Sequence, residues 1–141
     1  MHFTRRSARK GFTILEILIV LILISLLAGT VIYNMTGALE KNSASIAKLF
    51  VDNSIKTPLV SYRIHMGSYP STEEGLQALI TPPANRAERW KGPYIDSKTV
   101  PVDPWGNPYQ YRYPGTHNPD KYDVWSWGPD GHESADDIGN W

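Results

Sequence analysis

Cysteine is absent from all 141 residues. No disulfide can staple the chain, so its polar portion of roughly 100 residues must hold together by its core, its partners or a metal. A basic excess is missing too: 14 Lys and Arg face 14 Asp and Glu. Four of those bases are Arg5, Arg6, Arg9 and Lys10, ahead of any acid, so residues 12–141 carry four more acids than bases. That balance argues against nucleic acid as a partner. No Walker-type phosphate loop occurs. His2, His65, His117 and His132 are scattered, with neither a His-Glu-x-x-His helix nor a Gly-x-Ser-x-Gly turn. The spacings that mark metalloproteases and serine hydrolases are therefore missing, and an enzyme is not expected.

What the chain does have is a long apolar run. Residues 12–33 are nearly all Ile, Leu and Val, with Glu16 as their one charge. A helix of about 22 residues reaches ~33 Å, enough to cross a bilayer core. The basic cluster ahead of it holds the first ten residues on the cytoplasmic side and places the body of the chain outside. A cleaved secretory signal has a shorter apolar stretch, about 7 to 15 residues, before its small-residue cleavage site. Ala28-Gly29-Thr30 imitates such a site, and a plain membrane anchor is the other simple reading. Neither accounts for Glu16, since an acid within a span costs about 2.5 to 3.5 kcal/mol and normally has a specific partner.

Beyond Tyr33, apolar residues recur at Leu39, Ile46, Leu49, Phe50 and Leu59, which predicts an amphipathic continuation of the helix through 34–66, at least to about Tyr62. Gly37 and Pro58 are candidate bends. In the remainder, 67–141, Ser71 and Glu74 have capping-box spacing ahead of Leu76, Leu79 and Ile80, which predicts a short helix from near Thr72, ended by Pro82-Pro83. Residues 84–89 read as a surface loop. Residues 109–113 and 122–127 alternate as strands do, each preceded by turn formers. The expected class is α+β: a long N-terminal helix against an antiparallel sheet of two or three strands.

The junction Gly11-Phe12-Thr13-Ile14-Leu15-Glu16 resembles that of the type IV pilin-like proteins. The resemblance implies that residues 1–11 are a leader, that a prepilin peptidase cuts between Gly11 and Phe12, and that the new Phe12 amine is methylated. Glu16 then gains a partner, because the ammonium at Phe12 of a neighbouring subunit can pair with it away from water. An unpaired charge penalises every other stagger, so the pair sets register more than stability. Family members often carry proline where Tyr33 stands, which leaves any bend open between Tyr33, Gly37 and Pro58.

Further motifs narrow the likeness: Tyr69-Pro70, Glu74-Gly75-Leu76-Gln77-Ala78-Leu79, Gly92-Pro93-Tyr94, Asp103-Pro104-Trp105-Gly106-Asn107-Pro108-Tyr109, Gly128-Pro129-Asp130-Gly131 and Asp136-Asp137-Ile138-Gly139-Asn140-Trp141. In this order they are similar to the major pseudopilins of type II secretion, the protein G family. That resemblance implies a pilin-like fold and a homopolymer, the periplasmic pseudopilus, which helps move folded proteins through an outer-membrane channel. It also implies a single-pass inner-membrane anchor with the C-terminal domain in the periplasm. Implied partners are the prepilin peptidase, minor pseudopilins and an inner-membrane platform with a cytoplasmic ATPase. A type IV pilin for adhesion or motility is the alternative; such pilins commonly close their C-terminal region with a disulfide, which this chain lacks.

The last segment collects oxygen donors at Asp130, Glu133, Ser134, Asp136 and Asp137. Calcium takes six to eight oxygens at about 2.3 to 2.6 Å and tolerates a flexible loop, magnesium less easily. The spacing is not that of an EF-hand, and a solvated acidic tail is the plain alternative. The family resemblance implies calcium, with Asp130, Ser134 and Asp136 at matching positions, Asp137 close by, and backbone oxygens from Trp127 and His132.

Overall fold

The computed structural model describes residues 12–141, the side chains of 31–38 excepted. The expected leader, with Gly11, lies outside the described residues. The chain divides into two units, Met1–Leu39 and Glu40–Trp141.

In the first unit, helix α1 (Ile14–Leu49) begins at a side-chain cap. The Thr13 hydroxyl accepts the Glu16 N–H at 3.2 Å. Thr13 and Glu16 thus have the spacing of a capping box, with an acid in the first turn where the helix dipole favours it. The hydroxyls of Ser25 and Thr30 donate to the carbonyls of Leu21 and Leu27, both at 2.8 Å, so these polar groups are satisfied within the apolar run. Among the described residues no helix is long and apolar enough to cross a membrane. The apolar run of the sequence continues past Thr30, into residues whose side chains are not described.

In the second unit the helical path continues through a π turn, Phe50–Ser54, into α2 (Lys56–Met66). It ends at Met66, the end of the expected 34–66 continuation and four residues past Tyr62, where Gly67 at φ 87° closes it by donating to the Arg63 carbonyl at 2.8 Å. Tyr33 and Gly37 lie inside an uninterrupted α1. The irregularity falls instead just before Pro58, where the Ile55 N–H reaches back five residues to Phe50 O at 3.1 Å. Pro58 has no N–H, and in a continuous helix its ring would press on the carbonyl of Ser54. With the wide turn ahead of it, Pro58 falls in the first turn of α2, where an N–H has no helical partner anyway. The same turn keeps Ala47, Val51, Ile55 and Leu59 buried on one face, although steps of four overrun the ~3.6-residue period of an α-helix.

Ser71 and Glu74 form the predicted box, with Glu74 N–H to Ser71 Oγ at 3.1 Å and Ser71 N–H to Glu74 Oε2 at 2.9 Å. The predicted helix does not follow. Gly75, at φ 58° and ψ −164°, breaks the path, leaving a turn and then a 3₁₀ segment, Leu76–Leu79.

The sheet is antiparallel in the order β1 (Gln110–Arg112), β2 (Asp123–Ser126), β3 (Ile138–Gly139). Tyr111 stands opposite Val124, and Trp125 opposite Gly139. Val124 and Tyr122 meet Val51, Ile55, Leu59 and Tyr62 of the helix, with Leu79 and Tyr109 beside them. Phe50 stacks on Tyr109 at 4.1 Å. Fully burying a side chain such as Leu59 contributes about 1.5 to 3 kcal/mol, so this one-sided core supplies what disulfides do not. The architecture is the expected α+β.

Candidate functional site

Two regions carry chemistry. The first is the start of α1, where the apolar side chains are uncovered: Phe12 is 77% exposed, Ile14 88% and Leu27 66%. A continuous apolar surface of this kind marks a contact with protein or lipid. Glu16 is the acid of its first turn and is itself exposed.

The second region is the loop between β2 and β3, which holds the six expected calcium ligands. The Asp130 carboxylate accepts the His132 N–H at 3.0 Å. That bond helps to hold the Asp130 carboxyl below its usual range. Ser134 N–H donates to Asp137 Oδ1 at 3.2 Å, and the Ser134 hydroxyl contacts the Asp136 carboxylate. Asp136 closes on the start of the loop: a Cβ on Gly128, which has φ 72°, would sit 3.2 Å from its carbonyl and carboxylate oxygens. Burial pushes the Asp137 carboxyl up; the Ser134 N–H opposes this, while the charges of Asp136, Glu133 and Asp130 add to it. A loop whose carboxylates repel one another in this way is relieved by a cation.

Among the described residues no three acidic or histidine side chains converge as a metal-binding group. The donors present are nonetheless all hard oxygens, and calcium takes neutral oxygens, backbone carbonyls among them, alongside carboxylates. A set of two or three carboxylates, one hydroxyl and two carbonyls fits that chemistry and does not suit zinc.

The structure adds residues that the sequence did not single out as part of this region. Asp103, 3% exposed, accepts the Ser126 hydroxyl at 2.6 Å and the N–H groups of Trp105 and Asn107 at 3.1 and 2.8 Å. Ser126 Oγ in turn accepts the Gly128 N–H at 3.0 Å. Asn107 Nδ2 donates to Gly128 O at 3.4 Å. At the far end of the loop, Lys48 Nζ donates to Gly139 O at 2.6 Å and pairs with Asp52 at 3.2 Å. Asn140 exchanges backbone and side-chain bonds with Val124 at 3.0 and 3.1 Å. Trp141 folds over Gly139, where any side chain would collide with it, and stacks on His117 at 3.8 Å. Nothing local in the sequence ties Asp103, Asn107 or Lys48 to this loop, because their partners there lie far away along the chain.

Comparison with known proteins identifies the family. The family model described as type II secretion system (T2SS), protein G matches residues 34–141, and that of the prokaryotic N-terminal methylation motif matches residues 6–32. The type II secretion system core protein G of Pseudomonas aeruginosa is 38% identical over 97% of this chain and 98% of its own length. That of Klebsiella pneumoniae is 41% identical over 94% of each. The crystal structure of the major pseudopilin from the type 2 secretion system of enterohaemorrhagic Escherichia coli superposes with a TM-score of 0.65 at 34% identity, covering 74% of this chain and 87% of that one. Both family matches, the relatives and the pilin-like architecture thus converge, and the chain belongs to the protein G family of type II secretion systems.

Proposed function

We infer that this pseudopilus subunit of type II secretion polymerises by burying residues 12–33 among the same helices of its neighbours. The observation that carries this reading is the uncovered apolar start of α1 with one acid in its first turn. Before assembly the same helix serves as a single-pass inner-membrane anchor, with the C-terminal unit in the periplasm. Removal of residues 1–11 frees the Phe12 amine, and that ammonium on one subunit meets Glu16 on the next. The pair selects the stagger, because any other arrangement leaves two charges without partners away from water. Minor pseudopilins and an inner-membrane platform with its ATPase are the partners proposed from the family. A type IV pilin for adhesion or motility is not favoured, since the family model and the curated relatives name secretion.

Calcium is proposed for the loop between β2 and β3, held by side chains of Asp130, Ser134 and Asp136, with Asp137 beside them, and by the carbonyls of Trp127 and His132. When bound, the ion would neutralise the mutual repulsion of these carboxylates and close the loop.

The test of assembly uses Glu16→Ala in a secreting host. The variant is expected to insert and to lose its leader normally, with Phe12 as the first residue by mass spectrometry, yet to form no filament in sheared fractions or electron micrographs. Filaments of Glu16→Ala at wild-type yield, or working filaments that retain residues 1–11, would overturn the reading.

A further inference from the structure

We propose that the buried Asp103–Ser126 pair, with Asn107, positions the Trp127 carbonyl toward a cation in the loop between β2 and β3; this rests on the calcium reading above. The argument starts from covalent geometry. The Trp127–Gly128 peptide is planar and trans, so its C=O and its N–H point in opposite directions. The Gly128 N–H is turned onto Ser126 Oγ at 3.0 Å, and the Ser126 hydroxyl donates onward to Asp103 Oδ2 at 2.6 Å. Ser126 is fully buried and Asp103 is 3% exposed. With its N–H held by that pair, the peptide presents the Trp127 carbonyl away from it.

The pair is itself braced. The other Asp103 oxygen accepts the N–H groups of Trp105 and Asn107, and the Asn107 carbonyl accepts the Asp103 N–H at 2.8 Å. Asn107 then reaches the same corner with its side chain, donating to the Gly128 carbonyl at 3.4 Å. Its amide also lies against Gly131, where a Cβ would sit 3.3 Å from Nδ2. Residues Gly128–Asp130 form a 3₁₀ turn with Trp127 as its N-cap, so the Trp127 carbonyl takes the first bond of that turn on one lone pair and has a second lone pair for a cation. Asp103, Ser126 and Asn107 are positioning residues: they act on the ion through the Gly128 peptide and need not touch it.

The experiment measures calcium affinity calorimetrically on the full chain in detergent micelles, with thermal melts in excess chelator alongside. Wild type is expected to bind calcium and to melt higher with it. Ser126→Ala should weaken affinity by about tenfold or more, the usual effect of removing an outer partner of a metal ligand. Ser126→Thr, which keeps a hydroxyl, should restore most of it. Asn107→Ala leaves the buried pair in place and is the second probe should Ser126→Ala fail to fold. It should lower calcium affinity while leaving the calcium-free melt close to wild type. Wild-type affinity in Ser126→Ala or in Asn107→Ala, or no rescue by threonine, overturns the positioning role alone. No calcium binding by wild type overturns the calcium reading, and the positioning role with it.

Discussion

Asp123 is the side chain whose neutralisation should do most harm to the C-terminal unit. It is 2% exposed and gathers the 116–118 loop around itself. Oδ2 accepts the N–H groups of Thr116 and His117 at 2.6 and 2.8 Å, and Oδ1 accepts the N–H and side-chain amide of Asn118 at 3.0 and 2.9 Å. Gly115 makes room for this, since a Cβ there would lie 2.5 Å from Oδ1. In Asp123→Asn one oxygen becomes NH₂, and whichever way the amide turns, its donors face two of the four. Two charge-assisted hydrogen bonds are lost at about 1.5 to 3 kcal/mol each, so the substitution should cost about 3 to 6 kcal/mol. For a unit of this size the melting temperature should fall by at least about 12 °C. The pH dependence is a second check. Burial raises the Asp123 carboxyl, but the N–H donors of His117, Thr116 and Asn118 outweigh it, and the net shift is downward. A depressed carboxyl contributes its stability above the unfolded value, about 3.9, and loses it as pH falls through the folded value. Thermal melts should therefore show a wide gap between wild type and Asp123→Asn at pH 7 that narrows as pH drops below about 4. A variant melting within a few degrees of wild type at pH 7, or a gap indifferent to acid, would refute the reasoning.

Two further substitutions probe the region around the end of α2. Glu74 receives Arg86 Nη2 at 2.9 Å on both carboxylate oxygens, and the pair is partly exposed, with side chains 22% and 31% accessible. Glu74→Gln should cost about 1 kcal/mol in denaturant unfolding, with a gap that shrinks in ~1 M salt and below about pH 4; no salt dependence would count against the ion pair. Burial raises the Glu74 carboxyl but the Ser71 N–H and Arg86 outweigh it, so acid removes this contribution too. Among the described residues the buried Tyr62 hydroxyl makes no full hydrogen bond and only a weak contact with the Glu74 carboxylate. Tyr62→Phe should therefore be neutral or stabilising by up to about 1 kcal/mol, and a clear loss would reveal a partner for that oxygen.

How much of this was legible in the sequence depended on how far apart the interacting residues lie. The leader junction and the Ser71–Glu74 box are local, and the box forms as read. The helix expected after the box failed at one residue, because Gly75 adopts a backbone conformation open chiefly to glycine. Pro58 was read as a possible bend, yet the chain places a π turn ahead of it, a compensation that no periodicity signals. Strand β3 is two residues long and shows no alternation; it exists because Lys48 and Asn140 hold it from outside, Lys48 across 91 residues. The acidic loop was visible as composition. Its supports were not, since Asp103 looks like any turn aspartate and Ser126 like a filler in an alternating strand.

Lys48 ties these observations together. Its ammonium is shared between Asp52, one turn along the helical path, and the carbonyl of Gly139, two residues past Asp137. A surface ion pair of this kind contributes at most about 1 kcal/mol, so the contact matters less for stability than for where it puts the chain. It fixes the exit of the acidic loop to a helix, as the Asp103–Ser126 pair fixes its entrance to a turn. Between two fixed ends the loop has little freedom to separate its carboxylates; burial is what chiefly raises the Asp137 carboxyl, and the charges of Asp136, Glu133 and Asp130 add to it. A free acidic tail would relax by spreading, whereas a clamped one keeps its charges close, which supports the calcium proposal. The start of α1 poses a similar demand, an acid beside hydrocarbon that the described residues leave uncovered. On the proposed readings both places hold charge for a partner to answer, which suits a subunit that completes itself only on assembly.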